Sequence, residues 1–362
     1  MKKQGVSTLK IAATYIGTIV GAGFATGQEV LQFFAKFGLK GFAGLILTTI
    51  MFVVFGYIIM ELGRELDTRS HLEIIRYSGG KILGTIIDII ITFFLFGALT
   101  AMIAGTGALF TEQFHLSSLL GNIAMAVLTA LTVLTGINGV INSISFVVPF
   151  LLIAVVGTSI FSIITTPPDI TATVQIAGDS GLITNWLMAA VLYVSYNTVI
   201  SIAVLGPLGV KARDKKAIRN GAVLGGLGLG LGSIMIYFAL FGNIKEIQEL
   251  EVPMIHIAGG ISSVVQIGYA IVLTAEVYTT AVGSLFGFVS RITDMQKSPA
   301  KGRALVIGAS VAALAASQLG FSNLVKYLYP LVGYGGIALL VSLLYSRYIR
   351  KRSAKIPGGS NP

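Results

Sequence analysis

Two short stretches of this chain hold most of its candidate chemistry. The first, YIGTIVGAGFATGQE, sets Gly17, Gly21, Gly23 and Gly27 around one centre. A continuous helix is least stable there, because glycine has the most backbone freedom to lose. Unwinding at that centre exposes backbone N–H and C=O groups. The amides of Gly21, Ala22 and Gly23 then suit a carboxylate, helped by the positive end of the half-helix that follows. Carbonyls of the preceding half-helix suit a cation. The same glycines also suit a packing face of small residues or a hinge lining a pore. A dinucleotide loop needs a preceding strand and a following acidic residue, and both are missing. The second stretch, LYVSYNTVIS, places Tyr193, Ser195, Tyr196, Asn197, Thr198 and Ser201 inside an apolar span. Hydrogen bonds between helices explain one or two such residues. A run of them points to a solute site.

Four acids fall within or beside apolar runs: Glu29, Glu61, Asp88 and Glu276. An acid at membrane depth is costly and marks function by default, although Glu29 and Asp88 also read as interface residues near helix ends. His71, His115 and His256 lie in or beside loops and share no metal-ligand spacing. Cysteine is absent, which excludes disulfides, thiolate metal sites and cysteine nucleophiles.

The elements that must position these residues follow from composition. Of 362 residues, 54% are hydrophobic and 11% charged, with a mean hydropathy of +0.86, so water is not the solvent for most of the surface. The fold class is an all-α integral membrane protein, a single transmembrane domain over residues 1–362 in contact with the lipid bilayer. Ten apolar segments are expected: Leu9 to Phe34, Phe42 to Leu62, Ile82 to Phe110, Leu119 to Leu134, Val140 to Ile164, Trp186 to Val210, Ile218 to Phe241, Ile257 to Val289, Ala304 to Leu319, and Leu324 to Tyr348. The first follows Met1-Lys2-Lys3 and could pass for a signal peptide. It carries Gln28 and Glu29 and lacks a small-x-small cleavage site, so it reads as a retained helix.

With the N-terminus in the cytosol, every Lys and Arg except Lys36, Lys40, Lys245 and Lys326 falls on the cytosolic side. That is the asymmetry the positive-inside rule predicts. Both termini, including a tail at 349–362, are expected inside, in a multi-pass cytoplasmic (inner) membrane protein. The net charge of +10 needs no nucleic acid, since anionic lipid and insertion bias account for it.

The chain also reads as two halves, residues 9–164 and 186–348. Asn142 precedes Pro149 by seven residues and Asn323 precedes Pro330 by seven, an offset of 181 that also carries Gly21 to Ile202. Five helices followed by five invert the second copy. Prolines kinking two unrelated helices would give the same match.

IGTIVGAGFATG resembles the glycine-rich first helix of the amino acid, polyamine and organocation transporter superfamily, and YVSYNTV is similar to the aromatic and polar stretch of its sixth helix. MELGRE, at Met60 to Glu65, resembles the second-helix end of sodium-dependent neurotransmitter-type transporters. Within the superfamily the chain is most similar to the little-characterised permeases of the YkvI type. The resemblance implies the 5+5 inverted-repeat fold of LeuT, with helices 1 and 6 discontinuous around an amino-acid-like solute. It puts a solute carboxylate on the backbone of Gly21, Ala22 and Gly23, with side-chain contacts from Tyr193, Ser195, Tyr196, Asn197 and Thr198. It implies a sodium site between carbonyls of Gly17 and Val20 and hydroxyls of Thr279 and Thr280, all oxygen ligands as a hard cation needs. Proton-coupled relatives use a fifth-helix lysine, which is absent here. Glu276 departs from the pattern, one turn before Thr280, as either a cation ligand or a proton carrier. The resemblance also implies that Glu61 ties the unwound segments together. No cofactor is expected beyond Na+ or H+ as coupling ion.

The function expected is therefore a cation-coupled secondary transporter, a permease that binds its solute by alternating access and is not an enzyme. A membrane amino-acid receptor built on the same fold is the alternative, because fold alone does not fix function. An intramembrane enzyme needs a nucleophile and base within reach of each other, and no cysteine or membrane-embedded histidine supplies them. Substrate identity, coupling ion, direction and oligomeric state are not legible.

Overall fold

The computed structural model describes residues 5–68, 70–135, 148–168, 181–295 and 297–350. The chain enters as three short helices, α1 (Thr8–Ile19), α2 (Ala22–Ala25) and α3 (Gln28–Phe33). Long helices follow: α4 (Leu39–Glu65), α5 (His71–Phe114), α6 (Ser118–Leu134), α7 (Val148–Thr165), α8 (Trp186–Lys211) and α9 (Lys215–Gly242). Two short pieces, α10 (Ile244–Ile247) and α11 (Pro253–Gly259), lead to α12 (Ser263–Ile292), α13 (Pro299–Ala316) and α14 (Phe321–Tyr345). Seven of the described helices are long and apolar enough to cross a bilayer, and α6 and α7 are shorter apolar helices.

Local chemistry starts these helices where they start. Asn185 accepts from the Met188 amide at 2.9 Å, Asp214 from Ala217 at 2.7 Å and Ser262 from Val265 at 3.2 Å, each satisfying a donor that helix geometry leaves unpaired. Asp214 sits in a loop, and the Ala217 amide holds its carboxyl below the usual carboxylate range. Gly80, at φ 80°, bends α5 near its start.

Packing in lipid depends on close approach of backbones. A Cβ on Gly63 of α4 would overlap the Gly206 carbonyl of α8, and one on Gly209 would overlap the Met60 carbonyl. These glycines let α4 and α8 lie against each other through their main chains. Around that pair, α9 packs on α4, α14 on α8 and α5, and α12 on α5. Val6 pairs with the segment after α8, its amide donating to Lys211 O at 2.8 Å and its carbonyl accepting from Arg213 at 3.0 Å.

Two expectations need correction. The sixth segment is not discontinuous: α8 runs unbroken from Trp186 to Lys211 with Pro207 inside it. Its polar residues find partners without unwinding, Ser195 donating to Gly333 O at 2.6 Å and Asn197 to Tyr193 O at 2.9 Å. The eighth segment is two helices, because Ser262 caps a new start after Gly259 and only α12 continues across. Of the repeat markers, Asn142 lies outside the described residues. Gly21 falls at a break and Ile202 within a continuous helix.

Candidate functional site

The helical ladder of the first segment stops at Val20, whose amide donates to Ile16 O at 2.8 Å, and resumes with Ala25 donating to Gly21 O at 3.0 Å. Between those bonds, the carbonyls of Gly17 to Val20 and the amides of Gly21 to Phe24 stand outside the ladder. Such groups are tolerable at membrane depth only where they line a cavity or find partners. A cavity of about 330 Å³ is found there, bounded by α1, the break, α5, α8 and α12. Its size fits a small solute.

The cavity is closed on one side and reaches the surface on the other. Residues 22–35 are buried without interruption. Behind them Tyr193 packs edge-on against Phe33 at 5.3 Å and Phe34 at 5.2 Å between ring centroids, with Phe52 at 6.0 Å. Gln28 donates to Ser322 at 2.5 Å, Tyr269 to Ala25 O at 2.6 Å and Met254 to Thr26 O at 3.0 Å, tying α2 and α3 to α14, α12 and α11. Glu251, in the loop before α11, accepts from the Phe321 and Ser322 amides that open α14. Burial pushes its carboxyl up, and those two amides pull it back. On the other side the wall is partly or fully exposed at Gly17, Thr18, Val204 and Gly283.

The predicted site residues divide. Gly17, Val20, Gly21, Ala22, Gly23, Tyr196, Asn197, Glu276, Thr279, Thr280 and Glu29 all line this cavity. Tyr193, Ser195 and Thr198 are buried but do not reach its wall. Tyr193 instead stands behind Glu29: its hydroxyl donates to Glu29 Oε2 at 3.1 Å, and the Tyr196 hydroxyl donates to the same oxygen at 2.5 Å. On α12, Thr279 donates to Glu276 O at 3.0 Å and Thr280 to Glu276 Oε1 at 3.3 Å. Glu276 Oε2 is buried with no hydrogen-bond partner among the described residues. A Cβ built on Gly21 would lie 3.9 Å from Thr280 Oγ1, so the break faces α12 at that hydroxyl.

Two acids lie elsewhere. Glu61, expected to tie the unwound segments, forms an ion pair with Arg347 at 2.7 Å and contacts Tyr57. Its place is the end of α4 that packs on the 206–209 part of α8, which draws it to a charge. Asp88 pairs with Arg291 of α12 and lies 3.3 Å from His71, a charged cluster joining α5 to α12. Phe94 and Tyr329 also line the cavity, and sequence reading missed both. Tyr329 stands directly before Pro330, the repeat marker, but nothing in its own neighbourhood signals a wall.

The chain is 30% identical over 367 residues to the uncharacterized membrane protein YkvI of Bacillus subtilis (strain 168), across 98% of this chain and 100% of that one. It belongs to the YkvI family of membrane proteins. YyaD, an uncharacterized protein of the same organism, is 27% identical over 329 residues, covering 91% of this chain and 94% of its own. No family model matches. Among solved structures, MhsT in complex with L-phenylalanine is similar with a TM-score of 0.62 at 17% identity, over 96% of this chain and 90% of that one. A Na+-coupled sialic acid symporter matches with a TM-score of 0.62 at 11% identity, over 96% and 82%. Mhp1 in its inward-facing conformation matches with 0.54 at 14%, over 98% and 81%. At these identities the likeness is one of fold: this YkvI-family chain has the LeuT-type fold.

Proposed function

We propose that the chain is a secondary active transporter of the cytoplasmic membrane, moving an amino acid or related small solute by alternating access, coupled to a cation. The observation that carries this reading is the cavity at the break between α1 and α2, sealed by residues 22–35 and open toward Gly17, Val204 and Gly283. A site reached from one side only, in the middle of apolar helices, is what alternating access requires. With both termini cytosolic, the open side is the inner one. The MhsT, Mhp1 and sialic acid symporter likenesses support the reading through their shared fold.

A coupling ion has a fitting set of oxygens. The orphaned Glu276 Oε2, the Thr279 and Thr280 hydroxyls and the off-ladder carbonyls of Gly17 and Val20 would hold sodium, which would supply the positive charge that Glu276 lacks. Glu276 would serve equally as a proton carrier, and replacing it separates the two. Glu276→Gln removes the pH dependence of uptake if it carries protons, and mainly weakens sodium affinity if it is a ligand.

Purified protein in proteoliposomes, assayed for counterflow of labelled amino acids and amines with and without a sodium or proton gradient, tests the function. Saturable exchange stimulated by one gradient is expected. Solute binding without flux under any gradient would overturn transport and leave a receptor.

A further inference from the structure

The cavity wall carries two carboxylates, Glu29 and Glu276, and among the described residues no lysine, arginine or histidine. Each is deeply buried, with 5% and 4% of its surface exposed. Glu276 Oε2 is buried with no partner among the described residues, and a lone buried carboxylate oxygen favours positive charge beside it. Glu29 reaches back from α3 to the break. A Cβ on Gly23 would overlap its Oε1, so the chain's own carboxylate stands against the backbone where a solute carboxylate was expected. A second carboxylate brought to that point meets like charge at low dielectric.

The surroundings of Glu29 suit a cation. Phe94, Tyr196 and Tyr329 share the wall with it, their ring centroids 6.2 Å apart for Phe94 and Tyr196, 5.5 Å for Phe94 and Tyr329 and 5.1 Å for Tyr196 and Tyr329. Clustered ring faces beside an acid attract ammonium groups through the ring quadrupole. The two tyrosine hydroxyls on Oε2 fix the carboxylate, with Oε1 against the break at Gly23.

We propose that the solute is an organic amine that carries no carboxylate, its ammonium held by Glu29 against Phe94, Tyr196 and Tyr329, while Glu276 and Thr280 are left to the coupling cation. This rests on the transport reading and narrows its substrate class: Glu29 takes the place of the carboxylate that an amino acid would bring.

Matched pairs of probes test it. Leucine and isoamylamine, phenylalanine and phenethylamine, ornithine and putrescine each differ by one carboxylate. Thermal stabilisation of the full-length protein in detergent reads binding, since a ligand of the folded state raises the midpoint. At least one amine is expected to stabilise the protein saturably while its parent amino acid does not. Glu29→Gln keeps an oxygen for both tyrosines and removes the charge, and should weaken the amine by roughly tenfold or more. Glu29→Asp should retain part of the affinity, which separates lost charge from lost folding. Stabilisation by amino acids and not amines, by neither class, or by amines equally in Glu29→Gln would overturn the proposal. Amine binding without counterflow would sink transport and leave the cation site standing. Amino-acid counterflow without amine binding would do the reverse.

Discussion

At the scale of single residues, the glycines of the break are not interchangeable, although sequence spacing treats Gly21 and Gly23 alike. Gly21 adopts φ −128° and ψ −171°, extended backbone open to any residue, and a Cβ there has only Thr280 Oγ1 as a neighbour at 3.9 Å. Gly23 has no such room, because Glu29 occupies the space. Gly21→Ala is therefore expected to leave solute affinity within about twofold, and Gly23→Ala to lower it about tenfold, a loss of ~1.4 kcal/mol, by displacing Glu29. Gly21→Leu, which pushes a large side chain into the 330 Å³ cavity, should abolish binding while membrane insertion is unaffected. Ligand-induced thermal shifts for the three variants check this. Equal losses in Gly21→Ala and Gly23→Ala would mean the glycines act through backbone freedom and not through the space beside Glu29.

At the scale of elements, glycine concentration made the break in the first segment legible as one of several readings, and spacing could not decide it: α9 keeps Gly225, Gly226, Gly228, Gly230 and Gly232 in a continuous helix by packing them on Tyr15, Val53, Ile16, Thr49 and Phe24. The continuity of α8 was not legible, because polar residues in an apolar helix look the same whether they face a solute or a neighbour. Only the fold brings the Gly333 carbonyl to Ser195. Glu29 was readable as costly but not as a wall residue, since its aim depends on the turn at Gly27. Gly27 holds φ 81°, and a Cβ there would also meet Met254 Cγ at 2.9 Å. That left-handed turn sets the start of α3, and with it the direction from which Glu29 approaches Gly23. Gly27→Ala should cost ~1–2 kcal/mol through the left-handed backbone alone, read as a lower unfolding midpoint in detergent. It should also weaken ligand stabilisation beyond the change in midpoint. A variant that melts and binds like the parent would mean the turn does not position Glu29.

For the whole molecule, the charge asymmetry of the sequence meets a geometric counterpart in the contacts between distant segments. Val6 pairs beside Lys211 and Arg213, Arg64 donates to Ala212 O at 3.0 Å, and Lys215 lies 4.0 Å from Glu65. These contacts gather the N-terminus, the end of α4 and the α8–α9 loop at one end of the bundle. Asn243, at the far end of α9, donates to Ser162 at 2.9 Å and Thr166 at 3.3 Å, which puts the end of α7 at the opposite end. A bundle with basic segments at one end inserts with that end in the cytosol. Because the chain has no cysteine, a single introduced cysteine reports its own side without background. Thr165 and Lys216 are both exposed, one at each end. A membrane-impermeant maleimide applied to intact cells should label Thr165→Cys, and should label Lys216→Cys only after the membrane is opened. Labelling of both in intact cells would contradict the single crossing of α8 between them. The reverse pattern would place the open mouth of the cavity outside and invert the direction from which the solute is released.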